Sequence, residues 1–156
     1  MYRHRAWGNQ VKSILTGVIS AAVLLGAILI VPHVEAAQSG LPATYPKCAS
    51  GARYNCVVDG DTLWIYGQKV RVADIDAPEI STPKCASELT LGNKATERLI
   101  ELVNEGPFQL QAWPGRDTDR YGRKLRVLVR EGRSLGDRLV SEGLARTWSG
   151  RREPWC

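Results

Sequence analysis

The sequence predicts an α+β domain built on a five-stranded barrel of the oligonucleotide-binding type, with two or so helices. Three observations carry this. Short stretches of alternating apolar residues recur between turn signals, and one long amphipathic segment interrupts them. No internal repeat or low-complexity tract points to another architecture.

The elements follow in order. Cys56-Val57-Val58 leads into Asp59-Gly60, a turn signal. Thr62–Tyr66 and Lys69–Ile75 flank Gly67-Gln68 and read as a tight hairpin. Leu63 and Ile65 share one face, as do Val70 and Val72, so Arg71 points the opposite way. Taken alone it would be an ordinary surface arginine. Residues 88–104 are expected to be helical, with Leu91, Ala95, Leu99 and Leu102 as an apolar stripe that Glu105-Gly106-Pro107 ends. Phe108, Leu110 and Ala112 alternate as a further strand; Leu125, Val127 and Val129 alternate with Arg126 and Arg130 as another. Ser134-Leu135-Gly136-Asp137 is a capping-box variant that opens a short helix ending near Gly143.

The chain has 156 residues, one domain's worth beyond its leader. Arg3, Arg5 and Lys12 precede an uncharged stretch, Ser13 to Val31, and small residues follow at Ala36-Ala37. Residues 1–37 are therefore expected to be a signal peptide cleaved after Ala36 or Ala37, or else a membrane anchor spanning residues 13–31. Either way the charge asymmetry places the domain outside the cytoplasm, in the periplasm or beyond. Residues 38–52 read as a linker and 53–156 as the domain.

Four cysteines, Cys48, Cys56, Cys85 and Cys156, follow the leader. In an oxidising compartment they suggest disulfides; proximity favours Cys48–Cys56 and Cys85–Cys156 among the three connectivities four cysteines allow. Zinc is disfavoured, because there is no C-x-x-C pair and both histidines, His4 and His33, lie in the leader. Acid–base chemistry near neutral pH must then come from carboxylates, arginines, tyrosines or metal-bound water.

From Gln38 onward there are 18 basic and 15 acidic residues, unevenly placed: 7 against 9 up to residue 115, then 11 against 6. A basic C-terminal third beside an acidic cluster suits a polyanion bound next to a cation, although a solvated arginine-rich surface would have the same composition.

Three motifs bear the chemistry: Asp59-Gly60-Asp61-Thr62, then Arg71 with Asp76-Ala77-Pro78-Glu79, then Asp119-Arg120-Tyr121-Gly122-Arg123. Singly each is weak, since Asp-Gly commonly marks a turn and Pro78 could open a helix. The Asp-x-Asp pairs do not continue into an EF-hand loop, which excludes that reading. Together they offer carboxylates for a hard cation, a further carboxylate as base, and two guanidinium forks suited to phosphate oxygens.

In this order and combination the motifs resemble the staphylococcal (thermonuclease-like) nuclease family, from Cys56 to Trp148. The resemblance implies hydrolysis of DNA and RNA using calcium (Ca2+), with 3′-phosphate ends left on the product. It implies that Asp61, Asp76 and the carbonyl of Ala77 hold the metal, that Arg71 and Arg123 grip the scissile phosphate, and that Glu79 is the general base. Arg120 and Tyr121 match positions that contact a neighbouring phosphate. The pattern departs in three places. Arg71 follows Asp61 by only ten positions, so the hairpin is short. Alanine replaces a frequent threonine at position 77. The residues after Trp148 do not match the type member's long C-terminal helix, and the base-stacking aromatic is not plainly matched, although Trp148 lies nearby.

The expectation is an exported, monomeric, calcium-dependent endonuclease. Two rivals stand beside it. One is a nucleic-acid-binding module that kept the fold and lost the chemistry; the other is a disulfide-bonded envelope protein, which would leave the carboxylate–arginine pattern unexplained.

Overall fold

A computed structural model describes residues 44–156; the expected leader, the anchor segment and the first part of the linker lie outside the described residues. The elements run β1 (Cys56–Asp59), β2 (Thr62–Ile65), β3 (Gln68–Val72), β4 (Ile75–Asp76), α1 (Ala86–Asn104), β5 (Gln109–Ala112), β6 (Lys124–Arg130), β7 (Arg133–Ser134), α2 (Leu135–Ser141) and β8 (Arg146–Thr147). The main sheet has the order β1-β2-β3-β6-β5, with β7 added to β6, and β4 pairs β8 separately. Beside a single parallel bridge between Lys47 and Val57, the parallel pairing among the described strands is β3–β6. Such a pairing requires a crossover, and the segment carrying α1 and β5 supplies it. This is the expected α+β fold of the oligonucleotide-binding type.

The hairpin turn falls one residue earlier than expected. Ile65 pairs with Gln68, so the loop is Tyr66-Gly67, and both have positive φ (48° and 75°). Two such residues match the twist of the flanking strands, and the Ile65–Gln68 pairing puts Gln68 on the strand. Tyr66 tolerates the conformation because Asn55 Oδ1 accepts its N–H at 2.7 Å and Tyr54 stacks edge-on against its ring. The second strand also stops early. It ends at Val72, turns through Ala73-Asp74, and resumes as β4, where Asp76 pairs with Arg146.

On β6 the expected alternation is replaced. Leu128 is the fully buried residue and Val127 is half-buried, while Leu125 and Val129 are buried as well. Burial of Leu125 and Val129 on one face and Leu128 on the other shows that both faces are covered, while β3, β5 and β7 pair its edges. Its Arg130 reaches the end of α1, donating to the carbonyls of Leu102 and Gly106.

Ala95, Leu99, Leu102 and Val103 turn α1 toward the core beside Val57, Leu63, Val70, Phe108 and Leu128. Leu91, expected in the stripe, is half-buried. Ser134 Oγ caps α2 by accepting the Asp137 N–H at 3.1 Å, as the capping-box pattern predicts. Tyr45, inside the expected linker, is fully buried in the core, and Pro46 to Cys48 hydrogen-bond to Val57. The packed unit therefore includes residues read as linker. Cys48–Cys56 and Cys85–Cys156 are both bridged, as proximity suggested.

Two glycines bring α1 against the loops that carry the carboxylates. A Cβ on Gly60 would meet the Cβ atoms of Ala77 and Ala95 at 2.8 Å. One on Gly92 would meet Ile80 Cγ2 at 2.7 Å and the Pro78 carbonyl at 2.8 Å. The segment around Glu79 thus lies on the helix backbone, with no room for a side chain between.

Candidate active site

The site begins at an irregularity. The β1–β2 register shifts between Val57 and Asp59, and the turn that follows buries Asp61. Asp61 accepts a hydrogen bond from Thr62 Oγ1 at 2.8 Å, and its N–H donates to Asp59 at 3.1 Å. Arg71 lies mid-sheet, opposite Thr62 on β2 and Leu125 on β6. It is 6% exposed, so the surface-arginine alternative fails. Its guanidinium donates to the carbonyls of Val72 and Ile75 at 3.0 Å each, and lies 3.4 Å from Asp61 and 3.8 Å from Asp76. The Trp148 ring covers it at 4.7 Å. Backbone acceptors and a stacked ring aim this fork at both carboxylates.

A third arginine meets the same carboxylates. Arg152 lies 3.6 Å from Asp61 and 3.4 Å from Asp76, and it is ion-paired with Glu79. Burial alone would lower its pKa, but Asp61, Glu79 and Asp76 raise it above the usual arginine value. The carboxylates respond to the same crowding. Burial pushes Asp59 up to about 7, helped by the charge of Asp61. Burial also raises Asp76, against the pull of Arg152 and Arg71; the Trp155 indole opposes it too without completing a hydrogen bond.

Asp61 Oδ2 and both Asp76 carboxylate oxygens are buried without a hydrogen-bond donor among the described residues. Buried carboxylate oxygens are ordinarily satisfied. Three orphaned ones in a single place form a donor set for a hard, oxygen-seeking cation. Among the described residues no three Asp, Glu, His or Cys side chains cluster in a metal-binding arrangement, so such an ion would also draw on backbone carbonyl or water. Ala77 follows Asp76 directly and is itself buried in the core.

Arg123 comes from the segment just before β6. Its Nε donates to Asp119 Oδ2 at 2.7 Å and its Nη1 to Thr62 Oγ1 at 3.1 Å, which connects it through Thr62 to Asp61. Asp119 also accepts the N–H groups of Tyr121 and Arg123 at 2.9 Å. Burial would raise Asp119, but these bonds and the Arg123 charge hold it below the usual range. Arg120 hydrogen-bonds the Tyr121 hydroxyl at 2.6 Å, and Tyr121 is 68% exposed.

An open cleft of about 910 Å³ joins these pieces, with Asp61, Arg71, Glu79, Arg123 and Tyr121 on its walls. Arg120 and Trp148 line it too, whereas Asp76 and Ala77 lie behind the wall. Sequence reasoning missed three contributors. Asp119 orients Arg123. Glu88, buried on α1, accepts the N–H groups of Glu79 and Lys84 and so holds the intervening loop. Arg152 is the largest omission. The expected Cys85–Cys156 bridge was the available signal, because it brings the Arg151-Arg152 pair back toward Glu79.

Residues 69–154 match the sequence model of a family described as staphylococcal nuclease homologue. The chain is 39% identical over 93 residues to endonuclease YncB of Bacillus subtilis (strain 168), covering 57% of this chain and 44% of that protein. It is 40% identical over 93 residues to the SPbeta prophage-derived endonuclease YokF of the same organism, covering 57% of this chain and 31% of that protein. The chain thus spans less than half the length of either relative.

Proposed function

The chain belongs to the staphylococcal nuclease homologue family, and on that premise we propose that it is a calcium-dependent endonuclease that hydrolyses DNA and RNA and leaves 3′-phosphate ends. The observation that carries this reading is the buried Asp61–Asp76 pair, with three undonated oxygens beside a fixed arginine fork. Asp61, Asp76 and the Ala77 carbonyl would hold calcium, whose charge neutralises a phosphate oxygen. Arg71 and Arg123, which both line the cleft, would clamp the remaining oxygens, where planar forks suit a phosphate whose charge is building. Glu79 would take a proton from the attacking water as the P–O5′ bond breaks. Arg120 and Tyr121, exposed at the rim, would hold a neighbouring phosphate. The similarity to two proteins named as endonucleases supports the same reading.

Glu79→Gln tests it, because the amide keeps the shape and removes the base. Turnover on a short duplex should fall by roughly 10²–10⁴-fold while binding affinity stays within about threefold. Equal turnover in variant and wild type would remove Glu79 from the mechanism.

Export belongs to the same proposal. The basic, apolar and small-residue run in residues 1–37 and the two disulfides support it. Cell fractionation should find the domain outside the cytoplasm, and sequencing of the mature N-terminus should read Ala37 or Gln38 if the leader is cleaved. Recovery only in the cytoplasm with Met1 intact would contradict it.

A further inference from the structure

Arg152 stands among the carboxylates assigned above to the metal and to the base. It lies within ion-pair distance of Asp61, Asp76 and Glu79 at once. The chain holds it there from both sides. Before it, β8 pairs with β4 and the Trp148 N–H donates to the Asp74 carbonyl at 2.8 Å. After it, Arg146 donates to the Pro154 carbonyl at 3.0 Å and stacks on Trp155 at 3.8 Å, and Cys156 is bonded to Cys85. Residues 148–156 are therefore a strap fixed at both ends, with one cationic side chain turned into the site. The neighbouring Arg151 is 80% exposed and pairs with Glu153 instead.

We propose that Arg152 is a tethered plug: it competes with the metal ion for Asp61 and Asp76 and occupies Glu79, so that metal binding and release of Glu79 are one event. This rests on the calcium site proposed above. Cations compete for these carboxylates. Arg71 already lies 3.4 Å from Asp61 and 3.8 Å from Asp76, so a second guanidinium and a divalent ion cannot both join it on two buried carboxylates without strong repulsion. The guanidinium holds them incompletely, at 3.4 and 3.6 Å and without hydrogen bonds to the orphaned oxygens, so an oxygen-seeking ion can replace it. Because the strap is fixed at both ends, its effective concentration at the site is high, and the calcium concentration needed for half-occupancy rises accordingly. Departure of Arg152 then frees Glu79 at the moment the metal arrives.

Calorimetric titration of calcium into the full chain, disulfides intact and nucleic acid absent, tests this without any activity readout. If the plug is in place most of the time, Arg152→Gln should bind calcium roughly tenfold more tightly than wild type, because the competent fraction no longer limits affinity. Arg152→Lys should lie between the two, since one ammonium cannot span three carboxylates. Arg151→Gln should match wild type. A thermal melt gives an independent sign. Without calcium Arg152→Gln should melt below wild type, and saturating calcium should close the gap. Wild-type or weaker affinity in Arg152→Gln, with calcium still bound by wild type, would overturn the plug and leave the nuclease reading standing. No calcium binding in any variant would overturn the calcium site, and the plug as a metal competitor with it.

Discussion

The site draws its charges from two unlike regions. Arg71 and Asp76 arrive on strands and Asp61 on the turn between β1 and β2, each at most 6% exposed, and Arg71 is fixed by two backbone carbonyls. Arg152 arrives on a terminal strap that packs by a two-residue strand, a stacked tryptophan and a disulfide. The first region fixes its geometry by burial and backbone hydrogen bonds. The second supplies a charge that can leave. A buried acidic pair can be kept compensated in the metal-free protein yet open to metal when the compensating cation is not part of the core.

The strongest way to break this contrast is to disturb the rigid half. Arg71→Lys keeps the charge but loses the fork that bridges the Val72 and Ile75 carbonyls and faces both aspartates. Turnover on a short duplex should drop by roughly 10²–10³-fold, the cost of losing one preorganised donor to a developing charge. Asp61→Ala should act less on the chemistry and more on the metal. Its calcium midpoint should rise at least about 10–100-fold, with part of the lost rate restored by added calcium. If extra metal restores nothing, Asp61 is not a ligand.

A milder probe sharpens the contrast from the third wall. Asp119→Asn keeps the backbone bonds of the turn but removes the charge paired with Arg123. Turnover should fall about tenfold or less, with substrate affinity weakened, as expected for a residue that acts through another side chain. Stability should report the same pair. The folded-state pKa of Asp119 is depressed, so its contribution is present above the unfolded value of about 4 and lost as pH falls through the folded value. Wild type should therefore lose more stability than Asp119→Asn as pH is lowered below about 4 in thermal melts.

How much of this was legible in the sequence follows the same division. Asp61, Arg71, Asp76, Glu79 and Arg123 stand in short local motifs, whose order pointed to the family and the candidate site, while apolar alternation pointed to the fold. The elements that failed depend on tertiary context. The hairpin loop moved to Tyr66-Gly67 because register is set by cross-strand pairing and twist, and a lone glycine does not say which neighbour shares its turn. Leu128 replaced Val127 in the core because a strand covered on both faces loses its period of two. Tyr45 read as linker because it sits among Pro, Thr and Gly, yet it stacks on Phe108 across more than sixty positions of chain. Arg152 was illegible for the same reason. Its partners lie far behind it in sequence, and of the contacts that bring them together only the Cys85–Cys156 bridge had a signal in the sequence.

The central claim is that this carboxylate and arginine cleft cleaves phosphodiester bonds and needs a metal to do so. Incubating the purified protein with plasmid DNA, first with calcium, then with a chelator, then with calcium restored, tests it most directly. Nicking and linearisation are expected with calcium, with arrest on chelation and recovery on re-addition. Plasmid that is bound and retarded but stays supercoiled at every calcium concentration would contradict it, and the nucleic-acid-binding module would be the better description of this chain.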